Sequence, residues 1–221
     1  MPQTGNSNNY TGKFELVKQL NLVNDTVKEF YGFTKVTLYS KNTPDSVMPI
    51  GLDVGNVSIN NYNLGKFQEY SSPSFVYGDS LNYIQSKPAY WSISGNSNFS
   101  PLTFMDGSNY PTYNGYNLLP DSIALDTSNT FIINNFYGAD LIEVQIYPFA
   151  IPTKTFQPSS NSVVVTFAKS EMVSLPFGFP TSIPNAAINI SFHKNVDSQI
   201  GNKTFHFQST MRFSKHVDWR N

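Results

Sequence analysis

In TFHFQSTMRF, residues 204–213, Phe205, Phe207, Met211 and Phe213 take alternate positions, interrupted only by Ser209, while Thr204, His206, Gln208, Thr210 and Arg212 fill the others. A period of two sends successive side chains to opposite faces, so this stretch predicts a strand with one face on a core. AINISFH repeats the pattern, with Ile188, Ile190 and Phe192 set against Asn189, Ser191 and His193. KVTLY at 35–39 and EVQIY at 143–147 alternate likewise. Between such runs lie KNTPDSVMP (41–49), YSSPS (70–74), SGNSNFSPL (94–102) and DGSNYPTYNG (106–115). There Pro fixes φ and removes a donor, and Gly or Asn accepts positive φ, so these are turns and connectors. No long stretch has a 3.6-residue or heptad period; at most, DTVKEF at 25–30 forms one helical turn. Short strands with frequent turns predict an all-β sandwich or barrel.

The tripeptide Phe-Tyr-Gly occurs at 30–32 and again at 136–138, an offset of 106, and its surroundings recur as well. TKVTLY lies on IEVQIY at offset 108, GNVSIN on NSVVVT at 106, and LVKQLNL from Leu16 on LPDSIAL from Leu119 at 103. Four blocks in the same order predict a duplicated unit, although turn-plus-strand segments resemble one another in any β protein. On this reading Phe30, Tyr31 and Gly32 form the same turn as Phe136, Tyr137 and Gly138, with glycine letting the chain bend into the next strand. The expected layout is an N-terminal arm at 1–13, a first unit at 14–116, a second at 117–214 and a C-terminal tail at 215–221. Each unit is the size of a compact jelly roll, giving two tandem jelly-roll β-barrels with little helix. Residues 94–117, nearly uncharged and rich in turn formers, read as a long excursion and linker between them.

Composition narrows the function. The 221 residues hold 14 Lys and Arg against 15 Asp and Glu, a net charge of -1, with charged residues only 13% of the chain. A broad basic face for phosphate neutralisation is missing, which argues against sequence-specific nucleic-acid binding. Polarity comes instead from 25 Asn and 26 Ser, beside 18 Phe and 13 Tyr. There is no cysteine, so packing or assembly must supply the stability that disulfides or thiolate metal sites give elsewhere. The opening MPQTGNSNNYTGK lacks the apolar core of a signal peptide, and no uncharged apolar run reaches about 18 residues.

Candidate chemistry is sparse. His193, His206 and His216 form no close metal-ligand pair, and no Gly-x-Ser-x-Gly elbow accompanies them. Histidines on the polar faces of strands read as solvated or hydrogen-bonded. PFGFP at 176–180 lacks the second glycine and the lysine of a phosphate loop. Glu15, Glu29, Glu69, Glu143 and Glu171 fall in separate blocks, so no glycosidase pair is suggested and no enzymatic role or cofactor is expected. Asp106, Ser108 and Asn109 could offer oxygen ligands to calcium, and an Asx turn explains the same residues without an ion. KPAYWSISGN presents Tyr90 beside Trp91, the aromatic pair to suspect in sugar binding, although one of two adjacent aromatics in a strand faces the core.

Two tandem jelly rolls in a cysteine-free chain rich in Asn, Ser, Phe and Tyr, with duplicated Phe-Tyr-Gly blocks, resemble the double jelly-roll major capsid proteins of small tailless, membrane-containing icosahedral bacteriophages. At 221 residues the chain is short for that family and leaves little room for tower loops or flanking helices. The resemblance implies a homotrimer with a pseudo-hexagonal outline, tiling a shell with penton and minor capsid proteins. It also implies synthesis in the host cytoplasm, a place in the virion, and an inner side that can face a lipid membrane. Arg212, Lys215, Trp219 and Arg220 would then be inner-face or membrane contacts, if they are not simply a solvated terminus. Two other readings stay open: a single jelly-roll penton or minor capsid protein, and a carbohydrate- or receptor-binding β-sandwich of a phage spike or lectin.

Overall fold

Four strands of the computed structural model are far longer than the typical five or six residues. They are β1 (Gly12–Val23), β2 (Thr26–Leu38), β16 (Ala186–Ile200) and β17 (Lys203–Arg220). Between them the chain forms β3 (Val57–Ile59), β4 (Tyr62–Asn63), β5 (Gly65–Gln68), β6 (Phe75–Asp79), β7 (Ala89–Ile93), β8 (Leu102–Asp106) and β9 (Thr112–Tyr113). A 3-10 turn at Tyr116–Leu118 leads to β10 (Ser122–Ala124), β11 (Asn129–Asn134), β12 (Phe136–Tyr137), β13 (Leu141–Tyr147), β14 (Lys154–Phe156) and β15 (Ser162–Phe167). One helical turn, α1 (Lys169–Met172), follows. The structure describes residues 11–23, 26–39, 50–68, 74–79, 87–97, 99–147, 151–172 and 186–220, without the side chains of Val23, Phe30 and Tyr31. The arm at 1–10, the connectors at 41–49 and 70–73, and PFGFP lie outside them.

The fold is all-β, and its residues group into two units. The first holds 31–109 with the flanking pieces 1–17 and 195–209; the second holds 110–194 with 18–30 and 210–221. Each long strand therefore gives part of its length to one unit and part to the other. Hydrogen bonding orders the largest sheet β14-β13-β16-β17-β1-β2-β6-β5, with β10 parallel to β17.

In the first unit a separate sheet, β4-β3-β7-β8, faces the portions of β1 and β17 that belong there. Phe14 of β1 meets Trp91 of β7 at 4.8 Å between ring centroids, Phe104 of β8 at 5.1 Å and Phe207 of β17 at 5.1 Å. The edge-on and stacked geometries are those aromatic quadrupoles prefer. Val57, Ile59, Ala89 and Ile93 complete this core. Tyr77 of β6 is wholly enclosed, and its hydroxyl accepts from the Val54 amide at 2.9 Å and donates to Asp53 at 3.2 Å. Burial pushes its phenol pKa up, so the ring is held as a neutral donor.

The second unit buries Ile142, Val144 and Ile146 of β13, Ile188, Ile190 and Phe192 of β16, and Met211, Phe213 and Val217 of β17. Against them lie Phe131 and Ile133 of β11, Val165 and Phe167 of β15, and the aromatics Tyr113 and Phe136 of the paired strands β9 and β12. Tyr113 meets Phe192 at 4.9 Å and Phe213 at 5.2 Å.

The alternating runs behave as their period predicts: Phe205, Phe207, Ser209, Met211 and Phe213 all face inward, as do Ile188, Ile190 and Phe192. Other expectations are corrected. Residues 26–30 of DTVKEF lie in strand β2 and form no helical turn; Asp25 lies outside the described residues. Phe30-Tyr31-Gly32 lies within β2, whereas Phe136-Tyr137 forms the two-residue β12 and Gly138 turns the chain at φ 75°. The two tripeptides are not one turn used twice, because β2 runs on unbroken where β12 stops. The aligned blocks do form strands, but with different neighbours: β2 lies between β1 and β6, β13 between β14 and β16. The stretch at 94–117 is no free linker, since its Leu102–Asp106 segment pairs with β7 as β8. The units also differ from blocks at 14–116 and 117–214, because strands of this length serve two cores.

Candidate interaction surfaces

Asn60 and Asn61 both have positive φ, 49° and 65°, and close the two-residue hairpin between β3 and β4. Such backbone angles at both central positions define the type I′ turn that suits the twist of paired strands. The side-chain oxygen of Asn60 also accepts from the Tyr90 amide at 2.9 Å, fastening the turn to β7. Pleating then sends Trp91 inward, 2% exposed, and Tyr90 outward, 57% exposed. Tyr90 lies opposite Met105 and Ser92 opposite Thr103 on the outer face. Together with Ser58 and Asn61 these four residues line a shallow groove of ≈ 430 Å³. The lining carries no formal charge, so it suits a ligand that is neutral and partly apolar. Of the suspected aromatic pair, Tyr90 is available to a partner and Trp91 is core.

The outer face of the second unit has a comparable feature. Strands β11 and β15 pair over six residues, with Ile132 opposite Val164 and Thr130 opposite Thr166. Ile132 is 49% exposed and Val164 59%, and the two threonine hydroxyls hydrogen-bond at 3.0 Å. Sequence reasoning passed over this pair, because in runs such as SVVVTF every residue suits a strand and no alternation marks which side is out.

Several of the polar groups singled out in the sequence are held by partners within the fold. Asp106 is buried and ion-paired with Lys87, and its Oδ1 accepts from the Ser108 amide at 2.9 Å and hydroxyl at 2.7 Å. This is an Asx turn with a lysine already in the place of a cation, and Asn109 stands apart, exposed. The Asx turn expected here is formed by Asp106 and Ser108, and Asn109 takes no part in it. Among the described residues no group of three His, Asp or Glu side chains is placed to hold a metal ion.

His193 Nδ1 lies 2.9 Å from Thr210 Oγ1, and Nε2 lies 3.3 Å from Glu143 Oε2. The order hydroxyl, imidazole, carboxylate is that of a nucleophile with its base and orienter. Thr210, however, is only 1% exposed, so its oxygen is enclosed by the fold. His206 pairs with Asp197 at 2.7 Å across the β16–β17 hairpin.

The proposed basic tail is also corrected. Strand β17 continues to Arg220, and β10 pairs with it, Ile123 opposite Trp219 and Ala124 opposite Arg220. Lys215 is buried, donating to the Leu119 carbonyl and to Asp121, each at 2.7 Å. Trp219 packs against the hydrophobic cluster, while Arg212 and Arg220 are exposed. The four residues therefore divide between the two faces of one strand instead of forming one contact surface. No helix among the described residues is long and apolar enough to cross a membrane.

No protein-family model, curated protein or solved structure matches this chain.

Proposed function

We propose that the protein is a structural subunit that works by associating with copies of itself, as the resemblance to double jelly-roll capsid proteins implies. The observation that carries this reading is the pair of apolar contacts left on the outer faces, Tyr90 with Met105 and Ile132 with Val164, all four between 49% and 59% exposed. Large apolar side chains directly opposite one another on an outer sheet face form an exposed apolar patch in each unit, which subunit contacts would cover. The enclosed Thr210 and the internally paired Asp106, Lys87 and Lys215 add support, since these groups serve the fold. In its most specific form the reading is a major capsid protein in the virion, with each unit acting as one jelly roll and trimers tiling a shell. Light scattering after size exclusion, with negative-stain microscopy, tests it: a trimer or larger particle is expected. A chain that stays monomeric at high micromolar concentration would overturn it.

A second reading is favoured by the uncharged groove around Tyr90. A neutral saccharide could stack its C–H face on the tyrosine ring and hydrogen-bond to Ser58, Asn61, Ser92 and Thr103. Retention on immobilised neutral glycans that is lost in Tyr90→Ala, by a monomeric protein, would favour a receptor-binding module over the assembly reading.

A further inference from the structure

Strand β15 ends its sheet differently from the other terminal strands. At the ends of the largest sheet, β5 carries Lys66 and β14 carries Lys154. In the first unit's second sheet, β8 ends on Asp106 and β4 has only two residues. Charge and shortness both blunt an edge against pairing with another chain. By contrast β15 is Ser-Val-Val-Val-Thr-Phe, six residues without charge, Pro or Gly. Its sheet neighbour is β11 alone, so the N–H and C=O groups along its far side face no strand among the described residues. The far side of β11 is approached by the chain before it: a Cβ added to Gly115 would lie 2.2 Å from the Asn134 carbonyl, and the Asn114 amide donates to the Asn135 carbonyl at 3.0 Å.

We infer that the β15 edge is where the chain meets a second copy of itself, the two β15 strands pairing antiparallel in a register centred on Val164. The inference rests on the proposed self-association and names its surface. A twofold contact needs one surface that complements itself. About Val164 the strand does so: Ser162 comes opposite Thr166 of the second copy, Val163 opposite its Val165, and Val164 opposite its own counterpart. No like charges meet. The inner residues continue the apolar face of the sheet, and the exposed Ile132–Val164 pair of each copy extends into one strip. Pairing also turns a two-stranded ribbon, which is marginal alone, into a four-stranded sheet β11-β15-β15-β11. That equals the strand number of β4-β3-β7-β8. In a shell, a contact of this kind joins neighbouring rings, whereas ring closure uses a different, heterologous surface.

Charge-swapped variants test the register. Val164 is 59% exposed, so Val164→Lys and Val164→Glu leave the core intact, which circular dichroism and the melting temperature verify. Each variant alone places like charges opposite one another and weakens association by about tenfold or more, whereas an equimolar mixture restores it. Amide exchange of the unaltered chain gives a second measurement: protection of residues 162–167 rises with protein concentration. Association of either single variant at wild-type strength overturns the inference while leaving self-association standing. So does failure of the mixture to recover, or β15 amides that gain no protection as particles form. An unaltered chain that remains monomeric removes both the inference and the reading beneath it.

Discussion

Lys87 and Asp106 show how a single buried charge is tolerated. Both side chains are under 10% exposed, and burial lowers the lysine pKa while the carboxylate's hydrogen bond and charge oppose that shift. Removing one partner strands the other. Asp106→Ala is expected to cost about 3–5 kcal/mol in urea unfolding, whereas the double change Lys87→Met with Asp106→Leu is expected to be near neutral. Single changes as mild as the double one would show that the pair is solvated. A different behaviour is expected where the carboxylate itself is partly or fully exposed. Hydrogen bonds from Lys66, Lys215 and Lys154 hold Asp53, Asp121 and Glu171 below their ordinary carboxylate pKa. A depressed folded pKa gives stability that is present above the unfolded value and is lost as pH falls through the folded one. Melting temperature should therefore hold from neutrality to about pH 5 and then decline. Asp121→Asn should melt below wild type at neutral pH and converge with it in acid; a gap that persists in acid would contradict the assignment.

At the scale of elements, the period of two located the long strands but not their ends. Alternation through Phe213 was legible, and it continues through Val217 and Trp219. Lys215 hid the continuation, because an inward lysine looks like a break in the pattern unless the Leu119 carbonyl and Asp121 are known to await it. The segment at 102–106 was obscured by its surroundings: Leu102–Asp106 alternates properly, but Pro101 and Gly107 made the whole stretch resemble a loop. Phe-Tyr-Gly misled in the opposite direction, since identical residues become mid-strand in β2 and a turn after β12 according to whether pairing continues. Of the candidate surfaces, Tyr90 was readable from its aromatic pair. Ile132 and Val164 were not, because uniform β-branched runs reveal a strand without revealing its sides. One element-scale consequence lies in the β16–β17 hairpin, where Gly201 turns at φ 62° with no atom within 4 Å of the position a Cβ would take. Gly201→Ala should thus cost about 1 kcal/mol from backbone strain alone. A larger loss would imply a steric role.

For the whole molecule, the decisive fact is that four strands each contribute to both units. Two units so joined should not melt separately. Calorimetry of the full chain is expected to give one transition, and Phe14→Ala, which empties the middle of the first unit's aromatic cluster, should lower it by about 3–5 kcal/mol without splitting it. A piece comprising residues 117–214 lacks the strand portions at 18–30 and 215–220 that belong to the second unit, so it should remain unfolded by circular dichroism. Independent folding of that piece would favour autonomous tandem barrels instead.

The position of β17 has a consequence for how the molecule is made. This strand, at 203–220, joins β16 on one side and β1 on the other, and it lines the cores of both units. During synthesis β1 emerges first and can pair with β2, but its other neighbour is encoded some 180 residues later, counting from Val23 to Lys203. Neither unit can close before that neighbour leaves the ribosome. Folding is consequently dominated by distant pairings, which makes it slow, and a chain cut short anywhere before 203 leaves β1 without its second neighbour. Under the proposed self-association, late closure also delays contact between copies, because the sheets are not finished until 203–220 has been made.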